Sequence, residues 1–253
     1  MASPSLAKTR AKTHPRAWLR LGVVALWLVY CLPLHGIWRL FRFESPWPRL
    51  FLRGSAIACG MDVRITGPRR QTNVLYIANH VSWLDILVLA GRTGSAFVAK
   101  ADMAPWPVVG WLATLNHSVY VQREQRLDSK AQAESIGAAL KTGQALTLFP
   151  EGTTSDGLTL LPFRSSLIAA VAPPPEGIAI QPVAIDYGTA ASVLAWVGDE
   201  GFGANAMRIL SRAGRTRVIL HFLEPLDVSD FTHRKLITQH CRDAITRALK
   251  LGS

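Results

Sequence analysis

The sequence predicts an α/β fold, a mixed central sheet flanked by helices behind an N-terminal helical segment. Three observations predict it. From about Met61 onward, short β-branched or aromatic runs alternate with longer helical ones, as in a sheet layered with helices. The 253 residues suffice for one substantial domain or two small ones. A hydrophobic fraction of 49% and a mean hydropathy of +0.19 exclude intrinsic disorder, which needs low hydrophobicity with high charge.

The charge balance narrows the partners. Twenty-eight Lys and Arg against 17 Asp and Glu leave a net +11 and a pI of about 10.2. Nucleic-acid-binding domains rarely add an apolar surplus to their basic patches, so no nucleic-acid partner is expected. A basic and apolar chain suits an anionic membrane surface instead. Cys31, Cys59 and Cys241 are widely spaced and form no CxxC or Cys/His group. Neither a disulfide framework nor a metal site is expected, and a reducing compartment is.

In chain order, residues 1–20 form a basic tail carrying Lys8, Arg10, Lys12, Arg16 and Arg20. Leu21–Trp38 then runs without a formal charge, and as a helix it would rise about 27 Å, the lower limit for crossing hydrocarbon. Pro33 predicts that the helix stops or kinks around Leu32. No small-residue cleavage site follows, which argues against a signal peptide, and Tyr30 before Cys31 argues against a lipoprotein cysteine. Three readings remain: a single span, a helix buried in the protein, and a helix pair lying in one leaflet. The pair is preferred: Trp18–Leu32, a turn near Pro33, then Pro48–Cys59, with Trp27, Trp38 and Trp47 at headgroup level. Arginines flank the run on both sides, so charge does not choose an orientation. Residues 21–60 are therefore read as a membrane-associating helical segment.

Beyond it, Asp62–Thr66, Asn73–Ala78, Ala96–Ala99, Val119–Gln122, Ala145–Phe149, Ile178–Ile185 and Arg217–Leu223 read as strands. Trp83–Ala90, Val108–Leu115, Ser129–Lys141, Arg164–Ala172, Ala204–Arg212 and Arg234–Lys250 read as helices, and Asp199–Gly203 as a loop. In such a fold, reactive groups belong at strand ends and in the loops that follow.

Two stretches sit there. Asn79-His80-Val81-Ser82-Trp83-Leu84-Asp85 follows an apolar strand directly. A histidine mounted at a strand end can take a proton from an alcohol near neutral pH, and an aspartate five residues on can fold back to orient its ring. An isolated pair of this spacing is more often a histidine at a helix start and an aspartate serving the first turn. Phe149-Pro150-Glu151-Gly152-Thr153-Thr154-Ser155-Asp156-Gly157 follows a second apolar strand. Its small residues let backbone amides approach an anion, and a plain glycine turn is the alternative.

Together the two stretches resemble the glycerolipid acyltransferases, the family of bacterial 1-acylglycerol-3-phosphate acyltransferases. The family's His-x4-Asp block matches at His80 and Asp85, and its Phe-Pro-Glu-Gly-Thr-Arg-Ser block at Phe149–Ser155. Its Gly-x-x-Phe-x-x-Arg block aligns with His117–Arg123, and its Pro-containing strand with Gln181–Ile185. The resemblance covers residues 60–225 and makes 61–253 the acyltransferase domain. It implies a direct transfer, in which His80, oriented by Asp85, takes the proton of a lysolipid hydroxyl that attacks the thioester of acyl-CoA or acyl-carrier protein. Neither a covalent intermediate nor a cofactor or metal is implied, and no G-x-S-x-G elbow occurs. Lys100, Arg123, Glu151, Gly152, Thr153 and Arg164 are the implied substrate-binding residues. The implied place is the cytoplasmic face of the inner membrane, where the lysolipid resides.

Two departures bear on the acceptor. Thr154 stands where the family has Arg, and His117 where it has Gly. An arginine fork suits a phosphate, and losing one such bond costs about 1.5–3 kcal/mol unless Arg123, Lys100 or Arg164 replaces it. The leading acceptor is therefore 1-acylglycerol-3-phosphate. The alternative is a lyso-ornithine lipid, because Thr153–Gly157 resembles the branch that acylates such aminolipids. A catalytically silent lipid-binding protein is a third reading, which the intact His80 and Asp85 oppose. Glu151 reads equally as an acceptor contact or a brace for its loop, and Trp83 as packing. His14, His35, His221, His233 and His240 read as ordinary histidines, and Arg234–Lys250 as a helix with a solvated basic face.

Overall fold

The computed structural model describes residues 14–100, 118–121, 136–169, 172, 176–226 and 233–250. Two helices lead. α1 (Pro15–Leu40) opens on Pro15 at its first position, with His14 Nδ1 accepting the Arg16 N–H at 3.2 Å. It passes through Pro33 without ending, and the chain reverses only at 41–46 before α2 (Trp47–Ala58). The expected break near Leu32 is thus displaced by eight residues. Proline removes one N–H from a helix of about seven turns, and the bonds on either side carry the ladder across the gap. Trp47 of α2 meets Tyr30 and Trp38 of α1 with ring centroids 5.8 and 6.1 Å apart, and Trp27 stacks on Tyr30 within α1 at 5.4 Å. Gly54 makes this possible, since a Cβ there would lie 2.2 Å from the Trp27 indole nitrogen.

The strands are β1 (Met61–Thr66), β2 (Val74–Ala78), β3 (Ala96–Lys100), β4 (Val119–Val121), β5 (Leu146–Leu148), β6 (Ala179–Asp186) and β7 (Thr216–Phe222). They form one mixed sheet in the order β1-β7-β6-β2-β5-β3-β4. Neighbours from β6 to β4 are parallel, whereas β7 is antiparallel to β6 and parallel to β1. Each expected strand is present, shifted by a residue or two at its ends. The helices are α3 (Leu84–Thr93), α4 (Ser165–Ile168), α5 (Ala191–Leu194), α6 (Phe202–Leu210) and α7 (Arg234–Leu249), with 136–141 also helical. α6 starts inside the stretch expected as a loop, and α4 is shorter than expected. The expected helix over Val108–Leu115 lies outside the described residues.

β2 sits at the centre, and all five of its residues are buried. Val74, Tyr76 and Ala78 face a layer built on α2, α3 and α6, while Leu75 and Ile77 face α4, α7 and residues 136–141. This alternation is the two-residue period of a strand covered on both sides. Gly91 lets α3 approach α2, because a Cβ there would lie 2.7 Å from the Arg53 backbone nitrogen. The consequence for function is geometric. The C-terminal ends of β2, β3, β4, β5 and β6 all lie on one edge, where the loops carrying the motifs emerge.

Candidate active site

Asn79 ends β2. Its side chain donates to the Ile185 carbonyl at 3.1 Å and accepts the Ile185 N–H at 2.7 Å, continuing the ladder to β6 while the main chain turns out of the sheet. His80 leaves on that turn with both backbone groups held by the β5 loop. Its N–H donates to Glu151 Oε1 at 2.6 Å, and its carbonyl accepts the Ser155 N–H at 2.7 Å. The imidazole stacks on Phe149 at 4.1 Å and 10°, and Phe149 in turn lies over Phe97.

His80 Nδ1 lies 2.8 Å from Asp85 Oδ2. Asp85 is 0% exposed, and its Oδ2 also accepts the N–H groups of Val81 and Ser82 at 2.7 and 2.9 Å. Its Oδ1 accepts the Tyr187 hydroxyl at 2.6 Å. Asp85 thus bonds the first-turn amides at the start of α3 and the His80 ring at the same time. A carboxylate only accepts, so Nδ1 carries a proton, and in the neutral ring the lone pair is on Nε2. The His80 side chain is 18% exposed, and Nε2 bonds to no described residue. A nitrogen so placed can take a proton from an alcohol.

Glu151 is 2% exposed, and its second oxygen accepts the Leu161 N–H at 3.0 Å. Burial, reinforced by the Asp85 charge, pushes its carboxyl up to about 7 against the opposing pull of two backbone N–H groups and Arg242. With both oxygens occupied it braces the loop. Gly152 makes the tight turn at φ +77° and donates to the Phe149 carbonyl at 3.1 Å, leaving Thr153 exposed at the crest. Arg164 meets the loop through its backbone, donating to the Pro150 carbonyl at 2.9 Å, and its side chain is exposed. Lys100 ends β3 with Val121 of β4 opposite it, on the same edge as His80. The Lys100 side chain and all of Arg123 lie outside the described residues.

Several contacts were not visible in the sequence. Tyr187, directly after β6, reaches Asp85 across 102 positions, and only a sequence signal for β2–β6 pairing could have found it. Thr154 donates its hydroxyl to the Trp196 carbonyl, and the Trp196 N–H donates to the Val81 carbonyl at 3.0 Å. The 193–200 segment thus straps the two motif loops together. Arg208 holds it through the Val193 and Ala195 carbonyls and the Glu200 carboxylate, and Asn205 links it to the Trp83 indole. Arg242 of α7 also departs from the expected solvated face, donating to the Leu160 carbonyl at 3.3 Å. Cys31, Cys59 and Cys241 are free and buried. Among the described residues no His, Cys, Asp or Glu group could hold a metal.

A family model described as Acyltransferase matches residues 62–186, which include the whole corner from His80 to the end of β6. A lyso-ornithine lipid O-acyltransferase of Rhizobium meliloti is 35% identical over 258 residues, covering 92% of this chain and 88% of the relative. The chain belongs to the lysophospholipid acyltransferase family. It is a lipid O-acyltransferase, and its substrates are an acyl donor and a lipid acceptor. A 1-acyl-sn-glycerol-3-phosphate acyltransferase of Neisseria meningitidis is 37% identical over 113 residues, or 45% of this chain and 44% of the relative. The acyltransferase fold is also that of a crystal structure of a 1-acyl-sn-glycerophosphate acyltransferase from Thermotoga maritima. That structure superposes with a TM-score of 0.62 at 23% identity, covering 93% of this chain and 96% of the other.

Proposed function

We propose that this acyltransferase moves a fatty acyl group from a CoA or carrier-protein thioester to the hydroxyl of a lyso-ornithine lipid. The observation that carries this reading is the reach of the similarity. The relative named for that acceptor aligns over 92% of the chain, the one named for the glycerol phosphate over 45%. This reverses the order in which the motifs alone ranked the acceptors. Thr154 supports the reversal: where an arginine would face a phosphate, a hydroxyl bonds the Trp196 carbonyl instead.

In the proposed reaction the acceptor O–H gives its proton to His80 Nε2, and the oxygen attacks the thioester carbon. The tetrahedral intermediate collapses with cleavage of the C–S bond, and the thiolate recovers the proton from the imidazolium. Asp85 stabilises that imidazolium and holds its tautomer. Glu151 acts by bracing rather than by touching substrate, while Gly152 and Thr153 present the loop crest to the reacting carbonyl. Lys100, Arg123 and Arg164 would supply positive charge for the acidic groups of donor or acceptor. α1 is long and apolar enough to cross a membrane, and only 11% of its most apolar window is buried, as suits a membrane anchor. Residues 1–20 would be its basic tail, 21–60 the membrane-associating segment and 61–253 the catalytic domain, on the cytoplasmic face of the inner membrane. Thioester donors and reduced cysteines both favour that side.

The test is thioester release by detergent-purified protein with lyso-ornithine lipid and lysophosphatidate side by side. Turnover on the aminolipid, lost in His80→Ala, is the expected result. Turnover on lysophosphatidate alone would overturn the acceptor, and a fully active His80→Ala would overturn the mechanism.

A further inference from the structure

Asp85 has two oxygens, and they are treated very differently. Oδ2 faces three donors, the His80 ring and the Val81 and Ser82 amides. Oδ1 has one, the Tyr187 hydroxyl at 2.6 Å. Both side chains are buried, with Asp85 at the start of α3 and Tyr187 just beyond β6. Water therefore does not replace the phenol if it is removed.

We propose that Tyr187 is a positioning residue for the acyl transfer, holding Asp85 through Oδ1 so that Oδ2 stays aimed at Nδ1 of His80. This inference rests on the reading of His80 as the base. The chain His80–Asp85–Tyr187 joins three elements that converge only in the folded sheet. β2 delivers the base, α3 the carboxylate, and β6, the parallel neighbour of β2, the phenol. A carboxylate bonded only through Oδ2 can pivot about that oxygen and tilt its plane relative to the ring. With the phenol on Oδ1 the plane is held at both oxygens, and tilting breaks the second bond. The phenol is suited to the task because it only donates here: burial, and then the Asp85 charge and the bond itself, hold its proton far above the ordinary range. It does not compete for the proton that His80 takes from the acceptor.

A side chain that merely filled space would behave differently, which makes the proposal testable. Tyr187→Phe retains the ring and deletes one oxygen. The expected result is a fall in kcat of about 10- to 100-fold with KM for donor and acceptor unchanged within about threefold. In an Asp85→Asn background the same change should have little further effect, because the phenol acts through the carboxylate. Nitrogen NMR of labelled histidine should show the His80 Nδ1–H tautomer in the native enzyme and a mixture of tautomers in Tyr187→Phe. A kcat within twofold of native, a loss confined to KM, or equal losses in both backgrounds would each overturn the proposal. If Tyr187→Phe does not fold, the Tyr187 hydroxyl proton in the native enzyme decides. Its downfield resonance must move on Asp85→Asn, and a resonance that stays in place overturns the coupling. His80→Ala serves as the separate control. If it remains active the base assignment fails, whereas an inactive His80→Ala beside an unaffected Tyr187→Phe sinks this inference alone.

Discussion

Around His80 the chain buries polar side chains, and along α1 it exposes apolar ones. At the first region Asn79, Ser82, Asp85, Glu151 and Ser155 are all buried, and the carboxylates are held by backbone N–H groups, a ring nitrogen or a phenol. At the second, Leu26 is 72% exposed, Val29 69% and Leu40 79%. Both invert the usual sorting of residues, and each inversion has a physical reason. The buried polar groups are paired, which makes their order rigid rather than costly. The exposed apolar ones lack cover among the described residues, and lipid would supply it at about 1.5–3 kcal/mol for each fully covered large side chain. One chain thus sets a paired polar cluster beside an exposed apolar helix, which the proposed function reads as the reaction centre and the face toward lipid.

The comparison can be broken first at the reaction centre. His80→Ala is expected to lower kcat by at least about a thousandfold, and Asp85→Asn by a hundredfold or more, measured as thioester release. Next comes the helix face. Leu26→Glu together with Val29→Glu should reduce co-sedimentation with anionic vesicles more than tenfold, since each buried charge costs about 2.5–3.5 kcal/mol in the bilayer. Turnover on micellar substrate should stay within about threefold, and loss of both together would mean that α1 shapes the site itself.

Smaller effects sharpen the polar side of the contrast. Glu151→Gln leaves one of the two N–H groups facing another donor, and urea unfolding should show a loss of about 1–3 kcal/mol. Glu151 also gives native stability a pH slope. Its folded value of about 7 lies above the ordinary 4.5, so its contribution is full below about pH 4.5 and lost as pH rises through 7. That slope should vanish in Glu151→Gln. The smallest change is expected for Thr154→Val, which removes the strap bond to Trp196 at a cost of about 1 kcal/mol with a KM shift of a fewfold. A large loss of kcat there would place the strap in the chemistry.

Residues joined by local spacing were legible before the fold was known. The seven strands show as β-branched runs, and His80 and Asp85 are close enough in sequence for their spacing to matter. The bonds that finish the site span 71, 102 and 106 positions: His80 to Glu151, Asp85 to Tyr187, Asn79 to Ile185. Strand order is not sequence order, so no local pattern reports that β6 and β5 flank β2. The same limit misplaced the turn expected at Pro33, because a proline signal reads one missing bond and not the packing of Trp27 and Tyr30 against α2.

By itself, then, the sequence determined the seven strands and the longer described helices to within a few residues, which run is long and apolar, and which histidine and aspartate form a pair. Those properties follow from side-chain period and near-neighbour spacing. Only the tertiary structure decided that both Glu151 oxygens meet backbone N–H groups, that Thr154 bonds a strap, and that a phenol stands behind the carboxylate. Each of those depends on which strands lie side by side, and that choice is made by burial on both faces of the sheet at once.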